Sequence, residues 1–129
     1  MPRRSIGKYR ASTVDEWVTI LGLATRWEFN DVRELSINRL GEMEFDAVDK
    51  LAVMIKYDID RQWGYNAIVE LCSRTTPLTV DEGRLLGIEM SITISRVREK
   101  LEKWGRMKAS VVKKAVNEVF ELQEPLSPT

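Results

Sequence analysis

The chain has 129 residues, 20 Lys and Arg against 20 Asp and Glu, no histidine, one cysteine and 43% hydrophobic residues. That length suits one domain burying roughly two-thirds of its unfolded surface; the neutral sum argues against a polyanion binder acting with its whole surface, and the apolar fraction is too high for global disorder. Without imidazole, Ser-His-Asp and Cys-His nucleophiles and His-ligated zinc or haem sites are excluded, and with Cys72 alone so are an internal disulfide and a multi-cysteine zinc site.

Residues 1–12 form a basic arm with four cations and no acid. No apolar stretch follows it, so it does not read as a secretory signal. No apolar run approaches the ~20 residues of a membrane span. A single thiol suits a reducing compartment, which sets the expectation at cytoplasmic or nuclear.

From residue 13 onward, helical periodicity dominates, and residues 13–104 read as one helical-hairpin domain. Thr13-Val14-Asp15-Glu16 has capping-box spacing, and Trp17, Ile20, Leu21 and Ala24 form one stripe of a helix to about Trp27. Asn30 is the expected cap of a second helix carrying Val32, Leu35, Ile37 and Leu40, with Gly41 suited to the left-handed position after it. Three residues join the two, so they must fold back as a hairpin.

The same design returns about thirty residues later. Asp46 caps a third helix with Val48, Leu51, Ala52, Ile55 and Tyr57, and Asp60 opens a fourth with Trp63, Ala67, Ile68, Leu71 and Cys72. The turns align as Arg26-Trp27-Glu28-Phe29-Asn30 over Lys56-Tyr57-Asp58-Ile59-Asp60: basic, aromatic, acidic, apolar, cap. In this pattern the aromatic closes one helix, the apolar residue plugs the turn and the Asx side chain takes up the next helix's free amides. Gly64 marks a frayed start or a close helix contact.

Thr79-Val80-Asp81-Glu82 is a second capping box. It opens a short helix ending at Gly87, followed by a longer one to about Trp104 on which Ile88, Ile92, Ser95, Val97 and Leu101 mark the apolar side. A C-terminal helix occupies the 105–124 segment, centred on 107–122, and 125–129 is a tail. No alternating strand pattern survives, so the predicted fold is all-α, about six to seven helices in tandem hairpins, with no sheet.

The charge is neutral only in sum. Residues 13–95 hold eight cations against fifteen acids, whereas residues 96–114 hold eight cations, Arg96, Arg98, Lys100, Lys103, Arg106, Lys108, Lys113 and Lys114, against two acids. This basic patch is the one nucleic-acid-like feature, but no reading motif accompanies it, so nucleic-acid association stands second to a protein partner. Ser91 and Ser95 share a helical face without a base, and the carboxylates fall mostly on caps, so no catalytic residue is assigned. Glu42, Glu44, Asp46 and Asp49 lack the spacing of a calcium loop. No cofactor or metal is expected. Trp17, Trp27 and Trp63 occupy hairpin positions suited to packing between helices, and Cys72 lies on an apolar face.

Val14-Asp15-Glu16-Trp17, Ile20 to Phe29, Val32-Arg33-Glu34-Leu35, Val48-Asp49-Lys50, Lys56-Tyr57-Asp58, Leu71-Cys72-Ser73-Arg74, Pro77-Leu78-Thr79, Glu82-Gly83, Leu86-Gly87 and Val97-Arg98-Glu99 follow one another in an order and spacing that resembles a family. It is the region closing the BTB/POZ domain, with the BACK-like helices after it, in mushroom-type fungal proteins. The resemblance implies protein–protein association, in some members as an adaptor for a cullin-type ubiquitin ligase. The strands and earlier helices of a BTB/POZ domain have no counterpart in this chain, so dimerisation and cullin binding are not carried over, and no functional residue is carried over individually. Helices that cover a larger core in such a domain leave apolar surface. Residues 107–122, with Val112, Val116, Val119 and Phe120, are expected to cover it in cis or to mediate self-association, and with Trp104 they form the expected interaction surface.

Overall fold

The computed structural model describes residues 13–104 and 109–123. Among these there is no strand. Six α-helices and one 3-10 turn follow in order: α1 (Val14–Arg26), α2 (Asn30–Glu42), α3 (Ala47–Lys56), the 3-10 turn (Arg61–Gly64), α4 (Tyr65–Ser73), α5 (Val80–Trp104) and α6 (Ala109–Phe120). The all-α architecture of packed helix pairs is therefore the one the periodicity predicts. The basic arm, Gly105, Arg106, Met107, Lys108 and the 125–129 tail lie outside the described residues.

The chain divides into two compact units, Met1–Phe45 and Asp46–Thr129. In the first, α1 packs on α2. The Thr13 hydroxyl accepts from the Glu16 amide and Glu16 accepts from the Thr13 amide, each at 3.1 Å, so the capping box is complete. Buried positions are Leu21 and Ala24 on α1 and Ser36 and Leu40 on α2. Ser36 satisfies its hydroxyl by donating to the Val32 carbonyl at 2.8 Å.

In the second unit α3 lies against α4 and α5, and α6 against α4 and α5. Asp46 caps α3, accepting from the amides of Val48 and Asp49. Asp60 accepts from the Gln62 amide at 2.7 Å and starts the 3-10 turn. Gly64 is the close contact the sequence allowed for: a Cβ there would lie 2.7 Å from the Met54 sulfur and 2.8 Å from Leu51 Cδ2. The core runs through Leu51, Met54, Tyr65, Ile68, Leu71, Ile94, Val97, Leu101 and Val116.

Both hairpin turns are built the same way. Glu28 and Asp58 take left-handed backbone, φ 59° and 55°, and the amide of the next residue donates back into the helix just ended: Phe29 to the Ala24 carbonyl and Ile59 to the Met54 carbonyl, both at 2.9 Å. Two expectations differ at the ends of α2. After Glu28 the chain enters α2 at once, so Asn30 is already helical, Phe29 holds the cap position and no side chain caps the helix. The helix also continues through Gly41 to Glu42; among the described residues the left-handed glycine is Gly87.

Helix α5 is kinked at Gly87, φ 86° and ψ 168°, where the sequence placed a break. Its buried side is Leu86, Met90, Ile94, Val97 and Leu101, whereas Ile88 and Ile92, assigned to the apolar side, are exposed. The correction has a simple cause: Leu86, Met90, Ile94, Val97 and Leu101 recur every three or four residues as one stripe facing the core, whereas Ile88 and Ile92 stand nine and five residues before Val97, about 180° and 140° around the helix from it.

Candidate interaction surfaces

The first unit carries Leu23, Trp27, Phe29, Val32 and Leu35 as exposed large apolar side chains, Trp27 at 59%. Trp27 and Phe29 meet edge to face with centroids 6.2 Å apart. Expecting Trp27 between helices and Phe29 plugging the turn was wrong. The unit's described residues hold two helices and no third element to close over the turn, whereas the equivalent Ile59 is buried in the four-helix second unit. Beside the turn lies an open concavity of about 400 Å³ formed by Glu28, Phe29, Asn30, Asp31 and Val32. Its two charged groups are both carboxylates. The sequence signal for this surface was available: α2 has apolar residues on more than one face, and a short helix can bury only one.

The second unit has a smaller, better-enclosed cleft of about 240 Å³ between the end of α3 and the kink of α5. Met54, Ile59, Leu86 and Met90 form its apolar part and are buried, with Ile55 half open to solvent at its edge. Asp58, Arg61 and Glu89 surround it. Among the described residues neither carboxylate has an ion pair, and the Arg61 guanidinium sits over the Phe120 ring at 5.7 Å. Farther along α5, Ile88 is 77% exposed beside Leu85 and Ile92.

The residues singled out on the C-terminal helix occupy different places. Val112, Val116 and Phe120 are buried within the chain, Phe120 at 5%, and Val119 is partly covered. As a free surface for a partner these valines and Phe120 are therefore corrected: their apolar face is used where α6 packs on α4 and α5. Tyr65 reinforces that packing by donating to Asn117 Oδ1 at 2.8 Å. Trp104 is 41% exposed, with the ammonium groups of Lys100 and Lys114 at 5.2 and 5.4 Å from its ring.

The predicted basic patch is not one continuous surface. Arg98 turns inward: its guanidinium donates to the carbonyls of Leu71 at 3.1 Å, Arg74 at 2.8 Å and Thr75 at 3.3 Å, closing the end of α4. Lys100 pairs with Glu118 at 3.6 Å. Arg96, Lys103 and Lys114 are exposed, Lys113 is partly covered, and Arg106 and Lys108 lie outside the described residues. A phosphate-tracking surface needs adjacent free cations, and this segment spends its central one on backbone carbonyls.

No family model matches the chain, and comparison with curated proteins and with solved structures gives no match. The surfaces must therefore be read from their own chemistry.

Several other features are structural. Arg74 binds both carboxylate oxygens of Glu82, which also completes the second capping box by accepting from the Thr79 amide at 2.9 Å. The hydrogen bonds from Arg74 and from the Thr79 amide hold the Glu82 carboxyl at about 2, below its usual 4.5. Ser91 donates to the Gly87 carbonyl at 2.7 Å. Lys50, its pKa lowered by burial, lies over the Trp63 ring at 4.8 Å. Cys72 is fully buried. Among the described residues no three Asp, Glu or Cys side chains gather to hold a metal ion, and no helix is long and apolar enough to cross a membrane.

Proposed function

We propose that this chain is a non-catalytic protein–protein interaction module, related to the closing helices of BTB/POZ domains and the BACK-like helices that follow them, and acting as an adaptor in the cytoplasm or nucleus. The observation that carries the reading is the exposed apolar end of the α1–α2 hairpin, where Trp27, Phe29, Val32 and Leu35 are in water together. Aromatic side chains of this kind supply a large share of binding energy in protein interfaces, and a contiguous apolar patch is a cost that a folded chain carries when a partner covers it. The absence of histidine from the sequence supports the non-catalytic part.

Affinity capture from a cell lysate with the wild-type chain and with a Trp27→Ser, Phe29→Ser, Val32→Ser variant tests this. These side chains are solvent-exposed, so the variant is expected to keep its helical circular dichroism. A protein retained by the wild type and lost with the variant agrees with the proposal; an identical set retained by both refutes it. The same chain titrated with generic duplex DNA at low salt is expected to give no binding.

A further inference from the structure

We propose that Thr76 is a phosphorylation site for a proline-directed serine/threonine kinase, and that Arg74 receives the phosphate formed there. The site lies in the connection between α4 and α5 and is independent of the interaction surface on the α1–α2 hairpin.

Sequence and backbone make Thr76 an acceptor. Pro77 follows it directly, and a proline restricts the residue before it to extended backbone. Arg74 is extended as well, φ −71° and ψ 153°, and residues 74–79 join α4 to α5 without helix or strand. A kinase that reads a proline after its acceptor thus meets an extended chain on which Thr75, Thr76 and Pro77 are all exposed.

The hydroxyl is available too. Thr19, Ser73, Ser91 and Thr93 each donate to the carbonyl four residues back, and Thr13 and Thr79 are occupied as helix caps. The Thr76 hydroxyl has no hydrogen bond among the described residues, so its modification breaks no contact. In the transfer, its oxygen forms a bond to the γ-phosphorus of ATP as the bond from that phosphorus to the β-phosphate oxygen breaks. The hydroxyl proton passes to the kinase's catalytic base and ADP leaves.

Arg74 is already at the product's position. Its Nε donates to the Thr76 carbonyl and its Nη2 to the Pro77 carbonyl, both at 3.2 Å, while Arg98 donates to the Thr75 carbonyl at 3.3 Å. These carbonyls are neutral acceptors. A phosphate on Thr76 makes charge-assisted bonds roughly twice as strong and takes Arg74 donors from them. Arg98 adds to the attraction; Glu82, Asp46 and Glu70, whose charges reach Arg74, oppose it.

The test treats the full chain with a purified mitogen-activated protein kinase, ATP and magnesium, and maps phosphate by mass spectrometry of peptides. Phosphate is expected on Thr76, at a rate within about threefold of that for a free peptide of residues 71–80, because the connection is presented open. Pro77→Ala is expected to lower it about tenfold or more. Ser127-Pro128 carries the same dipeptide, and Ser127→Ala separates the two sites. By phosphorus NMR the phosphate on the peptide is expected to titrate near about 6, and on the folded chain at least about half a pH unit lower. Arg74→Gln is expected to return it to the peptide's value and Glu82→Gln to lower it further, with circular dichroism confirming that both variants are folded. The proposal is overturned if Thr76 takes no phosphate in the folded chain, if Thr75 takes as much, or if Pro77→Ala has no effect. It is equally overturned if the phosphate titrates as it does on the peptide, or if neither Arg74→Gln nor Glu82→Gln moves it.

Discussion

Glu28, Asp58 and Glu121 each hold φ between 55° and 59° at the end of a helix, a conformation in which Cβ crowds the following carbonyl and which glycine adopts freely. Glu28→Gly and Glu121→Gly are therefore expected to raise stability by about 0.5–1 kcal/mol each, and Asp58→Gly by less, because a short polar side chain tolerates this region better. Urea denaturation midpoints read the order. Two glycines resist replacement, each for a different reason. A Cβ at Gly87 would meet no atom within 4 Å, yet φ 86° and ψ 168° suit only glycine, so Gly87→Ala is expected to cost about 1–3 kcal/mol through the backbone. Gly64→Ala has an ordinary backbone and is expected to destabilise through contact with Met54 and Leu51. Introducing Met54→Ala beside it is expected to relieve part of that contact, and to relieve nothing at position 87; a double-mutant cycle measures the difference.

At the scale of elements, the join between α4 and α5 depends on Arg74, Glu82 and Arg98. The folded carboxyl of Glu82 titrates at about 2 against its usual 4.5. A group whose pKa is lower in the folded state contributes stability that is complete above the unfolded value and is lost as pH falls through the folded one. Stability is accordingly expected to decline between pH 4.5 and 2, and Glu82→Gln to remove this part of the decline while lowering stability at neutral pH; denaturation midpoints from neutral pH down to about 2 show both. Arg98→Met leaves three carbonyls without their donor and is expected to cost about 2 kcal/mol, with Arg98→Lys a poor rescue because a single ammonium cannot reproduce the guanidinium fork. These elements also show what a sequence discloses. Thr13, Asp46, Asp60 and Thr79 were legible as caps because capping is local chemistry, decided within three residues. Arg98 was not: its acceptors lie 23 to 27 residues earlier, and nothing in a run of Lys and Arg distinguishes the one that turns inward. The face of α5 was half legible: Val97 and Leu101 belong to the buried stripe of Leu86, Met90 and Ile94, whereas Ile88 and Ile92 fall out of phase with it and stand outside.

For the molecule as a whole, the decisive element is α6, which the sequence offered equally as a cover for its own chain and as a surface for another. Val112, Ala115, Val116 and Phe120 are all buried, Tyr65 donates to Asn117, and the Gln123 amide donates to Gln62 Oε1 at 3.3 Å while Gln62 Nε2 donates to the Gln123 carbonyl. The helix is thus held at its buried face and again just beyond its end. Val116→Ala is expected to cost about 1–3 kcal/mol and Phe120→Ala about 3–5 kcal/mol, whereas Trp104→Ser, on a surface shared with lysine side chains, is expected to stay within about 1 kcal/mol. A chain ending at residue 108 should lose more helical signal than the twelve residues of α6 contribute, because Tyr65, Val97 and Leu101 come from a core to which α6 belongs. It should also associate in a concentration-dependent way as the uncovered α4 and α5 faces meet. Circular dichroism and sedimentation measure the two effects together. A shortened chain that stays monomeric and loses only the signal of α6 would show that this helix is an appendage, and would make its valines and Phe120 a surface open to a partner after all.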